Sequence, residues 1–206
     1  MAEYRIAIAG STASANEALE LTERIAGSIG LTGKEALRLR LLAEEMLNMV
    51  QSIAGSFSAE FWIEHEGKDC TLHLSAKSEL DYAKRRELLS VSTSGRNTAR
   101  LGIMEKIRCI FEAGLYGMEE GFALQSEYGP GIAEYGMLSL DAGMSRAMYA
   151  WSMQKYKEDV KAEEDSDAWD ELEKSIIANI ADEVSVGVRR DGVELTVRKN
   201  YGKAHG

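Results

Sequence analysis

Two stretches in which apolar and polar residues alternate on either side of a glycine-containing turn constrain the fold of this 206-residue chain most. In the later one, Val184, Val186 and Val188 are followed by Val193, Leu195 and Val197 around Asp191-Gly192. In the earlier one, Phe57 to Glu64 and Cys70 to Ala76 flank Glu66-Gly67-Lys68-Asp69, with Phe61, Ile63, Leu72 and Leu74 available for one face. A period of two with a single apolar face predicts hairpins in a sheet that is buried on one side. Tyr4, Ile6 and Ile8, alternating with Arg5 and Ala7, predict one more strand.

Between these strands the period changes to that of helices. Ser14 with Glu17 predicts a cap for a helix carrying Ala18, Leu21, Thr22, Ile25 and Ile29. Thr32 with Glu35 predicts the same before Leu37 to Ala54, where Leu39, Leu42, Ala43, Met46, Met49, Val50 and Ile53 form an apolar stripe. Leu80 to Ser90 reads as helical, Ser92-Thr93-Ser94-Gly95 breaks it, and Asn97 to Ala113 returns to helical spacing. Met144 to Lys161 has helical spacing, and Asp165 or Ser166 caps a last helix through Trp169, Leu172, Ile176 and Ile180. The order predicts one α/β (α+β) domain over residues 1–206, a two-layer sandwich with helices on one face of a mixed sheet. That sheet is built from Tyr4–Ala9, Phe57–Ala76 and Val184–Lys199. Residues 114–143, with seven glycines and the only proline, Pro130, read as an insertion that serves as a lid or docking segment.

Composition removes several function classes. A formal charge of −10 argues against a nucleic-acid surface, which needs a basic face. No apolar run approaches the roughly 20 residues that span a bilayer, and the N-terminus lacks a basic region followed by a long apolar one, so a cytoplasmic protein without membrane contact is expected. Cys70 and Cys109 have no partner spacing and read as buried thiols. His65 and His73 flank the first turn but lack a third ligand, so they read as ordinary surface residues. A Gly-x-Ser-x-Gly elbow is missing.

The chemistry-bearing pair lies on the second helix. Glu44 and Asn48 stand at i and i+4, one turn apart beside the apolar stripe. A carboxylate there can act as general base, with Glu45 as a fallback, and an amide oxygen can join Mg²⁺, which takes few protein ligands. Leu42-Ala43-Glu44-Glu45-Met46-Leu47-Asn48-Met49-Val50 resembles the N-box of the GHKL (Bergerat-fold) ATPase and kinase superfamily, in particular its bacterial anti-sigma-factor serine kinase branch. The resemblance implies a Bergerat-like sandwich, ATP and Mg²⁺ as cofactors, Glu44 as base and Asn48 as metal ligand. It also implies a sigma factor or anti-anti-sigma-like regulator as partner, and is compatible with a homodimer. Where the family has an Asp-x-Gly turn for adenine, this chain reads Lys77-Ser78-Glu79-Leu80-Asp81, so that Asp81 is the nearest acid and no glycine follows it. Ser94 to Met104 resembles the family's phosphate segment, with Gly95 and Gly102 permitting turns and Arg96 and Arg100 supplying charge. Asp141-Ala142-Gly143 reads as an ordinary turn. A scaffold of the same fold that binds a protein partner without nucleotide turnover is the alternative.

Overall fold

The computed structural model describes residues 5–8, 12–53, 57–78, 102–116, 149–162, 166–189 and 192–202. In chain order these form β1 (Ile6–Ile8), α1 (Thr12–Ser28), α2 (Lys34–Gln51), β2 (Phe57–Glu66), β3 (Asp69–Ser78) and α3 (Ile103–Tyr116). They continue as β4 (Tyr149–Ser152), α4 (Met153–Ala162), α5 (Ser166–Lys174), α6 (Ile176–Ile180), β5 (Glu183–Arg189) and β6 (Gly192–Asn200). The strands make one sheet in the order β1-β2-β3-β6-β5-β4, and each described pairing is antiparallel. The expected mixed sheet is therefore corrected to an antiparallel one. Periodicity fixes which side of a strand is apolar but carries no information on strand direction.

Both hairpins form as their alternation predicts. Gly67, with φ of 57°, supplies the left-handed residue that a two-residue hairpin turn needs, and Glu66 pairs with Asp69 directly behind it. Ile6, Phe61, Leu74, Leu195, Val186 and Trp151 then lie opposite one another across all six strands, and all are buried. Residues of the helices join them in one core, among them Ala18, Leu42, Met46, Ile107, Phe111, Leu172 and Ile177.

The opposite side of the sheet is polar, with Glu60, Glu64, His73, Ser75 and Glu194 in its rows. Trp62 is its exception at 5% exposure. Its ring is flanked by the Arg5 guanidinium, 4.0 Å from the ring centre, and by the His73 ring, stacked at 4.7 Å and 3°. His73 Nδ1 lies 3.0 Å from a Glu194 carboxylate oxygen. The two histidines do not meet: His65 stands opposite Cys70, and His73 opposite Trp62, so their side chains leave the sheet on different faces. Neither is an exposed residue, which corrects the surface reading.

Other departures have local causes. α2 is entered through Gly33 at φ 53°, with no side-chain cap; the Glu35 carboxylate instead binds Lys68 Nζ at 3.0 Å. α1 begins at Thr12, which puts Ser14 inside its first turn. Met144–Lys161 is not one helix, because Tyr149–Ser152 adds to the sheet edge and buries Trp151 opposite Val186. The last helix is broken at Ser175, whose extended backbone and hydroxyl, accepting from Ala178 N at 3.3 Å, cap α6 afresh.

Gly114, at the start of the expected insertion, belongs to α3, where a Cβ would come 2.6 Å from a Val188 methyl. The missing side chain lets α3 sit close on β5 and β6. Residues 117–148, the helix expected at Leu80–Ser90, the break at 92–95 and the Asp141 turn lie outside the described residues. Cys70 and Cys109 are buried thiols that form no disulfide with each other, as expected.

Candidate functional site

Helix α2 holds the two residues singled out by spacing. Its inward side is set by Leu39, Leu42, Ala43, Met46 and Val50, all of them with no exposed surface. Asn48, about two and a half turns beyond Leu39, therefore lies on the opposite side of the helix and is exposed. Glu44, one turn before it, is half-buried at the flank that faces α1.

Glu44 is engaged within the protein. Its Oε1 accepts from Arg40 Nε at 2.8 Å, and Arg40 also binds Glu23 of α1, so one guanidinium joins two carboxylates across the helix pair. Glu45 is half-buried, and burial, followed by the neighbouring Glu44 charge, raises its carboxyl pKa above the ordinary value of 4.5. Glu45 thus holds its proton more tightly than an ordinary glutamate does. Spacing alone made Glu45 the fallback, since it does not report which carboxylate an arginine will neutralise.

Gly102 immediately precedes α3, and its carbonyl accepts from Lys106 N at 3.1 Å. Expected over Asn97 to Ala113, the helix is seen from Ile103, directly after Gly102, to Tyr116, three residues beyond Ala113, and α3 contacts α2. A Cβ on Gly102 would lie 3.3 Å from Glu171 Oε2, so a carboxylate of α5 stands beside this helix start. Negative charge is favoured at that end of a helix. Asp81, Gly95, Arg96 and Arg100 lie outside the described residues.

The donor set bears on a metal in a specific way. Among the described residues no group of three or more His, Cys, Asp or Glu side chains gathers to hold an ion. Mg²⁺ does not need such a cage, since it binds through one or two protein oxygens with phosphate oxygens and water completing its shell. The exposed amide of Asn48 fits an ion delivered together with its nucleotide, and does not fit a resident metal centre.

Compared with known proteins, the chain matches no family model, no curated protein and no solved structure. Among the described residues no helix is long and apolar enough to cross a membrane.

Proposed function

We propose that this chain is an ATP-binding regulatory protein of the GHKL type, with Mg²⁺–ATP held against helix α2. The reading rests on one observation above the others: Glu44 and Asn48 stand one turn apart on α2 away from its sealed apolar stripe, with Asn48 exposed and Glu44 half-buried, on a helix that also contacts α3. The Asn48 amide oxygen would hold the ion, which would neutralise charge on the phosphates. Glu44 Oε1 is the proton acceptor for a serine hydroxyl or a water, and this role requires Arg40 to leave it. Asp81, Gly95, Arg96 and Arg100 complete the proposal for adenine and phosphates on sequence alone. In this reading the domain is Bergerat-like, works in the cytoplasm, and acts on a sigma factor or anti-anti-sigma-like regulator, as a homodimer or alone.

A second reading has its own support. The carboxylate that should act as base is already shared with Arg40 and, through it, with Glu23. An arginine already bonded to the would-be base and to a second acid favours a scaffold that grips a partner without turning nucleotide over.

Calorimetric titration with ATP, with and without Mg²⁺, tests the first reading. Saturable heat that depends on Mg²⁺ supports it; no heat at millimolar ATP transfers the argument to the scaffold.

A further inference from the structure

Arg40, Glu44 and Asn48 follow one another at steps of four on α2, so they take successive places along one ridge of the helix, each about 6 Å further along its axis. The spacing that joins Glu44 to Asn48 therefore continues one turn back to an arginine. Arg40 Nε donates to Glu44 Oε1 at 2.8 Å, and Arg40 Nη1 donates to Glu23 Oε1 of α1. A guanidinium carries five N–H donors, and Arg40 spends two of them on these described residues. The group that covers the candidate base is itself a phosphate-binding group.

The link to Glu44 is weak enough to be released. All three side chains are partly open to solvent, Arg40 at 39%, Glu44 at 32% and Glu23 at 54%, and ion pairs this exposed contribute little because water screens them. A phosphate offers a guanidinium two parallel charge-assisted bonds, which are stronger and fix its plane. A ligand shifts an equilibrium only by its difference in affinity for the two states, and here that difference favours the state in which the guanidinium faces the phosphate. Glu23 lies on the other helix, so Arg40 keeps a carboxylate neighbour when it leaves Glu44.

We propose that Arg40 is a nucleotide-operated gate on Glu44: without nucleotide it occupies Glu44 Oε1, and with Mg²⁺–ATP bound it passes to an oxygen of the terminal phosphate. The proposal rests on the nucleotide reading of α2 and adds a regulation to it. Glu44 is free to accept a proton only while the phosphoryl group to be transferred is present. ADP lacks that phosphate and leaves the gate shut. The arginine link, which on its own counts against catalysis, becomes the resting state of the site.

The intact protein is titrated calorimetrically with Mg²⁺–ATP and with Mg²⁺–ADP, and the Arg40 Nε–H is followed by nitrogen NMR, its signal being the one lost in Arg40→Lys. The expected result is a preference for ATP over ADP of about tenfold or more. Arg40→Gln should lose that preference with its ADP affinity unchanged, Arg40→Lys should keep part of it because the charge remains without the fork, and Glu44→Ala should keep it whole. The Arg40 signal should move on addition of Mg²⁺–ATP and stay in place with Mg²⁺–ADP. Circular dichroism identifies any variant that fails to fold, and the wild-type NMR signal decides without a variant. An ATP-to-ADP ratio equal in wild type and Arg40→Gln, or an Arg40 signal that saturating Mg²⁺–ATP leaves in place, would overturn the gate, while the heat of ATP binding keeps the nucleotide reading standing. No heat with either nucleotide removes both.

Discussion

The two sides of helix α2 differ in what surrounds them. Inward, Leu39, Leu42, Ala43, Met46 and Val50 are sealed against the sheet, and their identity is dictated by volume. Outward, Leu37, Glu44 and Asn48 meet solvent, and little in the packing dictates them. A side chain that stability does not require is free to serve a ligand, so the two sides should respond to substitution in different currencies.

The largest effect should come from the inward side. Leu42→Ala removes a fully buried side chain from the centre of the core and should cost about 2–5 kcal/mol in chemical denaturation, with nucleotide affinity of the folded fraction unchanged. Gly114→Ala sharpens the same side from the opposite direction, because the added methyl meets Val188 and Val193 where α3 lies close on the sheet. About 1–3 kcal/mol of destabilisation is expected from that overpacking, and a thermal melt equal to wild type would show that α3 can slide away freely.

The outward side reverses the pattern. Asn48→Ala and Glu44→Ala should each leave stability within about 0.5 kcal/mol of wild type. On the proposed nucleotide reading, Asn48→Ala should weaken Mg²⁺-dependent ATP binding about tenfold, while Glu44→Ala should preserve binding and abolish phosphoryl transfer, because that reading gives the two groups different parts of the reaction. Equal behaviour of all three proteins would remove the division altogether.

Titration separates the two sides more finely. Burial, with Asp69 adding to it, raises the Cys70 thiol from 9.0 to about 11. The unfolded chain therefore releases this proton first, so the contribution is fully present below pH 9 and declines as pH rises towards 11. Denaturation midpoints across that window should fall in wild type and fall less in Cys70→Ala. Glu45 gives the smallest effect. Its folded pKa lies above 4.5, so its contribution is greatest below that value and falls as pH rises through the folded pKa. Glu45→Gln should flatten that slope, and an unchanged profile would return Glu45 to the exposed side.

Much of the inward architecture was legible in the residues. Val184 to Val197 and Phe61 to Leu74 alternate strongly enough to fix two hairpins and their buried face, and the α2 stripe named its own core. What escaped is non-local. Trp151 has helical company in sequence, yet gains more by pairing opposite Val186 at the sheet edge. Ser175 sits inside a helical period, and only its hydroxyl bond to Ala178 N shows that it restarts the helix. At the candidate site the spacing of Glu44 and Asn48 could be read, whereas the Arg40 link to Glu23 on another helix could not. Spacing states which residues share a side; it does not state what neutralises them.

The central pair of the sheet joins β3 to β6, and contacts such as His73 with Glu194 bridge 121 residues of chain. A strand that arrives so late must enter between two parts already made. Until β6 is synthesised, the apolar face of the first hairpin has no neighbour on one edge, and β5 and β4 have no route into the sheet. Folding should therefore be slow for a chain of this size and limited by closure of that long loop. During this interval β3 keeps an unpaired edge, which is the arrangement from which strand-to-strand association starts.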